Sequence, residues 1–386
     1  MTPLRGHILT PSGFVDGLLT FDAAGCVHSV TGSPADENVV RDSRLPLILP
    51  GFIDLHVHGG GGRDVMEGAE AALRVAQLHA SHGTTALVAT TMTAPFDDLR
   101  RAFEGVRDCA ASRPVDAACI LGVHLEGPYI NAGKLGAQPD FARPVSPDEL
   151  AQLHAIAPIL LLTLAPEVAG NMAQIEALVA AGHRVQIGHT LGTYEQGVEA
   201  LQRGASGFTH LFNAMTPLNH RMPGMVGAAL AHAQYAEVIP DLLHVHPGAI
   251  RIAMRAIPHL YCVTDSTAAT GMPDGDYRLG HQVVTKCLGG VRLADGTLAG
   301  SALTMEQALR NLVDKMGLGL RDASRRLSTN AADFLGLADR GRLEAGAWGD
   351  AVMLDRDLKL QGVFIEGRAL GPARSALSAS AVRPAP

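Results

Sequence analysis

The pattern of hydrophobic and polar positions in this chain changes at about residue 50. Residues 4–49 consist of short apolar stretches separated by turn-forming segments such as TPSG and TGSPADEN, which is typical of small antiparallel strands. From Pro50 onwards the apolar stretches are continuous, and each is followed by a segment that can form a helix. Continuous apolar strands indicate burial on both faces, as in a parallel sheet covered by helices.

Eight such apolar stretches follow one another along the chain. They are GFIDLHVHG, TTALVATTM, AACILGVHLEG, ILLLTLAPE, RVQIGHT, GFTHLFNAM, EVIPDLLHV and LYCVTDST. Their number and spacing predict an α/β fold of the TIM type, a (β/α)8 barrel. A doubly wound open sheet is the alternative, but no strand is followed by GxGxxG or GxxxxGKS/T, the phosphate-binding patterns of such sheets.

The short-strand pattern returns near the end of the sequence, from GRLEAGAWGD onwards. We therefore predict that residues 1–50 and 345–370 together form one small β-sandwich domain. Residues 51–344 would form the barrel domain that carries the catalytic site, and residues 371–386 a flexible tail.

Composition and charge narrow the class of protein. With 386 residues, 47% of them hydrophobic, the chain can bury a large core. A net charge of −7 with scattered Lys and Arg offers no basic stripe, so we do not expect nucleic acid as a partner. The five cysteines form no CxxC pair and indicate reduced thiols in a cytoplasmic protein. No export signal or membrane span is expected either.

Polar residues stand at the ends of most of the predicted strands, where the chemistry of such barrels is located. They are His56 and His58, His124 and Glu126, His189, His210, His244, and Asp265. A single histidine at a strand end is more often structural, but side chains from several strands converge on the barrel axis. Because side chains two apart on a strand share a face, His56 and His58 can bind one ion.

Imidazoles combined with carboxylates favour Zn²⁺ or Fe²⁺ over Mg²⁺ or Ca²⁺, so the pattern predicts a hydrolytic divalent metal site. Asp265 is the candidate for proton transfer between water and a leaving group, although it can also serve as one more ligand. No GxSxG elbow is present, which disfavours covalent catalysis by serine.

Several longer motifs identify a family. They are PGFIDLHVHGGGG, HLEGPYIN, IGHT, THLFNAM, PGMVGAAL, CVTDS, LADGTLAGSALTMEQALRNLV and TNAADFLGL. With them the chain resembles the amidohydrolase superfamily and, within it, the N-acetylglucosamine-6-phosphate deacetylases. This resemblance implies metal-dependent hydrolysis of the acetamide of N-acetylglucosamine 6-phosphate to glucosamine 6-phosphate and acetate. A metal-bound hydroxide would be the nucleophile, and Asp265 the general base and then the general acid.

The resemblance also implies the metal ligands. Glu126, His189 and His210 would hold the main ion. His56 and His58 could hold a second one together with Glu126, either with or without Asp265. One or two ions per chain are therefore expected, Zn or Fe first, with Co or Mn as alternatives.

The same resemblance implies the contacts of the phosphorylated amino-sugar substrate. His244 would form a hydrogen bond with a sugar hydroxyl, and Asn213 and Ala214 would contact the phosphate. Arg221 would reach the phosphate from the neighbouring subunit of a homodimer, because its planar fork matches phosphate geometry.

One position departs from the family pattern. Gln138 stands where these deacetylases typically carry a histidine that polarises the amide carbonyl. A glutamine can donate a hydrogen bond, but it cannot become cationic. The departure leaves open the efficiency and the identity of the N-acyl sugar. Alternatives are a deacetylase of another N-acetyl amino-sugar phosphate, a cyclic-amide hydrolase or deaminase, or a catalytically silent barrel that binds an amino-sugar phosphate.

Overall fold

A computed structural model describes residues 3–371 of the chain. Most of the tail predicted for 371–386 therefore lies outside the described residues. The first elements are four strands and a short helix: β1 Leu4–Thr10, β2 Gly13–Phe21, β3 Val27–Ala35, α1 Glu37–Asp42 and β4 Leu47–Pro50.

The predicted barrel strands are all present. After β4 the strands are β5 Phe52–Val57, β6 Gly59–Gly60, β7 Arg63–Asp64, β8 Thr84–Thr91, β9 Cys119–Glu126, β10 Ile159–Leu164, β11 Arg184–Ile187, β12 Gly207–Phe208, β13 Glu237–Val238 and β14 Tyr261–Cys262. Except for the small hairpin β6–β7, each corresponds to one predicted apolar stretch. Every residue of β5 and of β8 is buried, as expected for strands covered on both faces.

These strands close into a barrel in chain order. Strands β5, β8, β9, β10, β11 and β12 form one parallel sheet, and β13 pairs in parallel with β14. The Leu211 amide donates to the Glu237 carbonyl at 2.9 Å and links β12 to β13. The Asp265 amide donates to the His56 carbonyl at 2.9 Å and links β14 back to β5. The prediction of a (β/α)8 barrel is confirmed, and the open doubly wound sheet is excluded.

Helices follow the barrel strands and cover their outer faces. They are α2 Ala69–Ser81, α3 Phe96–Ala111, α4 Pro147–Ile156, α5 Asn171–Ala180, α6 Tyr194–Gln202, α7 Gly224–His232, α8 Pro247–Ala256 and α9 Met305–Arg310. Short 3-10 turns span Val65–Glu67 and Ala132–Lys134, and a π-helical turn, Asn311–Lys315, extends α9. Typical start signals are visible at α4, where the Ser146 hydroxyl accepts from the Glu149 amide and Pro147 is the first helical residue.

A four-stranded antiparallel sheet is inserted between β14 and α9. Its strands are β15 Gly275–Leu279, β16 Gln282–Cys287, β17 Gly290–Arg292 and β18 Leu298–Ser301. The Ser301 amide donates to the Asp265 carbonyl at 2.7 Å, so the last strand is attached directly to the end of β14. The insertion therefore stands over the C-terminal ends of the barrel strands.

The last described elements are α10 Leu320–Leu327, α11 Thr329–Leu335, β19 Ala351–Leu354, β20 Leu360–Ile365 and β21 Arg368–Ala369. Strands from both termini form one seven-stranded sheet in the order β21-β20-β19-β4-β1-β2-β3. Phe21 of β2 and Phe364 of β20 lie far apart in that order, yet their ring centroids are 5.9 Å apart. The sheet therefore curls around a small core of its own, which confirms the predicted sandwich of N- and C-terminal segments. The exact domain boundaries stay a prediction.

Candidate active site

Six side chains meet at the C-terminal ends of five barrel strands. They form two groups in which the potential ligand atoms lie within 4.8 Å of one another. Group one is Glu126, His189 and His210, and group two is His56, His58 and Asp265. All six residues are buried. The structure thus brings together the residues predicted as metal ligands and the predicted catalytic aspartate.

Glu126 lies between the two groups and faces both. Its Oε1 atom lies 3.1 Å from Nε2 of His189 and 3.1 Å from Nε2 of His210. Its Oε2 atom lies 3.4 Å from Nε2 of His56 and 3.2 Å from Nε2 of His58. One carboxylate can therefore serve a cation on either side.

The second group is closed by Asp265 on the opposite side. Its Oδ1 atom lies 3.5 Å from Nε2 of His56 and 3.4 Å from Nε2 of His58. The two Nε2 atoms are themselves 3.1 Å apart. These histidines share a face of β5 because they are two residues apart on a strand.

The outer nitrogen of most of these rings has a hydrogen-bond acceptor. Nδ1 of His58 lies 3.1 Å from the Thr90 carbonyl, and Nδ1 of His189 lies 2.8 Å from the Lys134 carbonyl. Nδ1 of His56 lies 2.9 Å from Oε1 of Glu237. Because these partners only accept, we assign a proton to Nδ1 of each ring. Nε2 then faces the centre of the site, where it carries a second proton or offers its lone pair to a cation.

The electrostatics of the centre favour positive charge. Burial raises the pKa of Glu126, but the charge on His56 and the other imidazole contacts hold it well below its usual range. The pKa of Asp265 is also lowered, because His56 and His58 outweigh the effect of burial. Burial lowers the pKa of His58, yet its hydrogen bonds with Asp265 and Glu126 raise it to about 9. A cation at this point is therefore stabilised by ionised carboxylates.

The backbone is unusual where these side chains leave the strands. His189, His210 and Asp265 have positive φ angles of 47°, 28° and 49°. This left-handed region is costly for residues other than glycine, and such strain persists where the surrounding structure enforces it. At these strand ends it turns the three side chains towards the same centre.

A cavity of about 410 Å³ opens directly above the two groups. Its wall includes the predicted substrate residues Gln138, Asn213, Ala214 and His244. The insertion between β14 and α9 contributes the roof, with Leu279, Thr297, Leu298 and Gly300. The cavity thus combines ligand groups from the barrel strands with a cover from the inserted sheet.

His244 and Arg221 are placed very differently. Nδ1 of His244 lies 2.7 Å from Oδ2 of Asp241, and the residue lines the cavity. Its hydrogen bond with Asp241 raises its pKa against the opposing effect of burial. Arg221 is exposed and is not part of the cavity wall of its own chain.

Gln138 contacts the ligand groups rather than standing free in the cavity. Its Nε2 atom donates to Oε2 of Glu126 at 2.6 Å, and its Oε1 atom accepts from the Thr93 amide at 2.6 Å. The resemblance places this residue where the family's histidine helps to polarise the substrate carbonyl. The structure adds that its amide is already bonded to the carboxylate shared by the two groups.

Two residues of the site are missing from the sequence prediction. Glu237 accepts from His56 and also from the His210 amide, at 3.0 Å, and Lys134 lies in the cavity wall. The signal for Glu237 is an acidic residue at the start of the apolar stretch EVIPDLLHV, which also contains Asp241. His124, which shares a strand with Glu126, belongs to neither group. Its Nε2 atom lies 2.7 Å from the Thr163 hydroxyl, deeper in the barrel.

Comparison with known proteins identifies the family. Residues 47–370 match the description "Amidohydrolase family". The chain belongs to the amidohydrolase family. Members of this family are enzymes that depend on metal for amide hydrolysis. The two groups of potential metal ligands in this amidohydrolase match that requirement.

Relatives of this amidohydrolase carry deacetylase names. An N-acetylglucosamine-6-phosphate deacetylase from Lysinibacillus sphaericus is 40% identical over 330 residues, which are 83% of this chain and 84% of the relative. An N-acetylgalactosamine-6-phosphate deacetylase from Escherichia coli O157:H7 is 36% identical over 370 residues, 94% of this chain and 97% of the relative. The predicted resemblance to the deacetylases is confirmed.

A solved structure agrees with both fold and family. A mutant N-acetyl-D-glucosamine-6-phosphate deacetylase from Mycobacterium smegmatis, in complex with N-acetyl-D-glucosamine-6-phosphate, superimposes with a TM-score of 0.87 at 34% identity. The match covers 96% of this chain and 100% of that chain.

Within residues 3–371 of the amidohydrolase, no helix combines the length and apolarity that a membrane crossing requires. Its cytoplasmic location stays a prediction.

Proposed function

We propose that this chain hydrolyses the acetamide of N-acetylglucosamine 6-phosphate and releases glucosamine 6-phosphate and acetate. The observation that carries the proposal is the pair of ligand groups sharing Glu126 at the floor of a cavity. The deacetylase names of relatives that cover most of the chain support the substrate.

The donor set fits divalent cations. Three buried carboxylates, those of Glu126, Asp265 and Glu237, lie against the site histidines. Within residues 3–371 none of the three forms an ion pair with a lysine or arginine. Buried negative charge needs a counter-charge, which protonated imidazoles or a bound cation can supply here. Paired Nε2 atoms lie only 3.1 Å and 3.0 Å apart, one pair in each group, so both nitrogens of a pair can reach one cation.

We assign the main cation to Glu126, His189 and His210. A second cation would be held by His56 and His58, with Oε2 of Glu126 and with Asp265. When bound, such a cation activates water and polarises the amide carbonyl as a Lewis acid. Zn²⁺ or Fe²⁺ is the proposed ion, and Co²⁺ or Mn²⁺ suits the same donors. Elemental analysis of the purified protein measures both identity and number.

Asp265 is the proposed proton-transfer residue. Its carboxylate lines the cavity and is partly accessible from it, whereas Glu126 is more fully enclosed by its imidazole partners. A carboxylate in this position can take a proton from the attacking water and deliver it to the departing amine. The same side chain would still contact the cation held by His56 and His58.

Hydrogen-bonding groups for the sugar phosphate line the same cavity. Nδ1 of His244 is engaged by Asp241, so Nε2 remains for a sugar hydroxyl. The Ala214 amide forms no hydrogen bond within residues 3–371, and the residue has a φ of 49°. An unpaired N–H in a left-handed turn suits an anion. We propose that it binds the phosphate together with Asn213.

We propose that Arg221 of the partner subunit completes the phosphate site in a homodimer. Within this chain Arg221 forms no ion pair among the described residues, and its loop exposes Leu218 and Met222 by 56% and 76%. Methionine and arginine are both enriched at protein interfaces, so this loop suits a contact with a second subunit. Arg221→Ala should raise KM for phosphorylated sugars about 10-fold or more and leave unphosphorylated sugars unaffected. An unchanged KM for the phosphorylated substrate would refute this role.

A second candidate substrate is N-acetylgalactosamine 6-phosphate. The Escherichia coli relative named for this sugar covers more of this chain than the Lysinibacillus relative does. The glutamine at position 138 also leaves room for a different N-acyl sugar.

Acetate release from a panel of sugars tests the proposal. The panel contains both N-acetyl hexosamine 6-phosphates and their unphosphorylated forms, with protein loaded with Zn²⁺ or Fe²⁺. We expect the highest kcat/KM with N-acetylglucosamine 6-phosphate. A higher value with the galacto epimer would favour the second candidate. No acetate from any sugar would favour a different amide or the catalytically silent barrel.

A further inference from the structure

Glu237 lies behind the ligand groups, in the interior of the barrel. It is fully buried and is not part of the cavity wall. Its Oε1 atom accepts from Nδ1 of His56 at 2.9 Å and from the His210 amide at 3.0 Å. Its Oε2 atom accepts from the Tyr261 hydroxyl at 3.4 Å. Both carboxylate oxygens are thus used inside the protein, and neither is available to a substrate.

One oxygen of Glu237 therefore contacts both ligand groups. His56 belongs to the group with His58 and Asp265, whereas His210 belongs to the other group. His210 depends on its backbone contact, because its Nδ1 atom has no hydrogen-bond partner within residues 3–371 and its φ is 28°. Without Glu237, the His56 ring and the His210 amide would lose their acceptor together.

The partner of His56 also differs in kind from those of the other rings. His58 and His189 donate to backbone carbonyls, but His56 donates to a carboxylate. Hydrogen bonds to a charged acceptor are stronger, and they increase the basicity of the opposite ring nitrogen. His56 is therefore the most strongly oriented histidine of its group.

Glu237 is itself held in place by its neighbours. Glu237 and Tyr261 are directly paired across β13 and β14. The Tyr261 hydroxyl accepts from Nε2 of Gln186 at 3.0 Å while it donates to Glu237. A buried row of hydrogen bonds thus runs from Gln186 through Tyr261 to Glu237 and ends at the two ligand groups.

We propose that Glu237 is a positioning residue that orients His56 and His210 for cation binding, so that one side chain outside the ligand set controls the affinity of both groups. The inference rests on the proposed metal-dependent function. It concerns the binding of the cation and makes no use of the sugar.

Titration of the metal-free protein with Co²⁺, followed by its visible absorption, tests the inference. Glu237→Gln keeps the size of the side chain but removes its charge. We expect Co²⁺ binding to weaken on the order of 10- to 100-fold, with an altered absorption band. After saturation with metal, kcat should fall while KM stays within about 2-fold. An unchanged KM would show that the sugar site is intact and that the lower kcat results from misoriented metal ligands.

Glu306→Gln is the matched control. Glu306 Oε1 lies 2.8 Å from Nδ1 of His82, which is the same pairing of carboxylate and imidazole outside the site. This variant should bind Co²⁺ as the unmodified protein does.

Tyr261→Phe provides a second and milder variant. It removes the hydroxyl that holds Oε2 of Glu237 and should weaken Co²⁺ binding in the same direction by a smaller factor. If Glu237→Gln does not fold, Tyr261→Phe decides alone. Unchanged Co²⁺ affinity in the folded variants overturns the inference whatever the acetate assay gives. Weakened Co²⁺ affinity supports the inference even if no acetate is released. Absence of acetate release would refute only the proposed substrate.

Discussion

Replacement of Gln138 by alanine gives a sharp test of how the shared carboxylate is supported. The Gln138 side chain is 5% exposed and connects the Glu126 carboxylate with the Thr93 backbone amide. Its amide nitrogen donates to Oε2 of Glu126, and its amide oxygen accepts from the Thr93 backbone, each at 2.6 Å. Gln138→Ala removes both hydrogen bonds and leaves the backbone of the loop in place.

The two lost hydrogen bonds set the expected magnitude. A hydrogen bond to a charged acceptor contributes about 1.5–3 kcal/mol, and a buried N–H left without a partner costs about 1–3 kcal/mol. Because Gln138 lines the cavity, water can replace part of this loss. We therefore expect Gln138→Ala to lower the free energy of unfolding by about 2–4 kcal/mol.

The measurement is urea unfolding followed by circular dichroism. A chelator removes bound metal, because a ligand that binds only the folded state would mask the difference. Gln77→Ala is the control, since Gln77 also donates to a carboxylate, that of Asp116 at 3.1 Å, but in a solvent-exposed pair. Gln77→Ala should lower the free energy of unfolding by no more than about 0.5 kcal/mol. An equally small loss for Gln138→Ala would mean that water fully replaces the amide, and the reasoning would be wrong.

Three further predictions concern the ligands and one distant ion pair. Replacing both His56 and His58 by Gln should lower metal content towards one ion per chain, and complete loss by elemental analysis would reverse the assigned order of the two groups. Asp265→Asn should lower kcat by about 10²- to 10⁴-fold, so unchanged turnover would exclude its role in proton transfer. Burial opposes the lowered pKa of Glu306, but its hydrogen bond with His82 outweighs it. The stability that this carboxylate contributes is present above its unfolded pKa, near 4.3, and is lost as the pH falls through the lower folded value. The difference in unfolding free energy between the protein and Glu306→Gln should therefore shrink below about pH 4.

The eight barrel strands were predictable because each is a continuous apolar stretch followed by a segment that can form a helix. Their lengths were not, since β12, β13 and β14 extend over two residues each, within longer apolar segments. Hydrogen bonding with neighbouring strands decides where a strand ends, and the sequence carries no local mark of it.

The ligand residues were predictable from their spacing and from the geometry of a barrel. Their supporting contacts were less so, because the acceptors of His58 and His189 are backbone carbonyls of Thr90 and Lys134. A carbonyl has no residue signature. Glu237 has one, yet its place in an apolar stretch gave no indication that it faces His56.

The floor and the roof of the cavity come from different parts of the chain. The floor consists of residues at the ends of barrel strands, where a change in position would disturb cation binding. Leu279, Thr297 and Leu298 belong instead to the antiparallel insertion or its adjoining turn. Substitutions in the roof can therefore alter which sugar is accepted while the hydrolytic centre is preserved. The insertion is the natural place to randomise residues when this enzyme is to be evolved towards other N-acyl sugars.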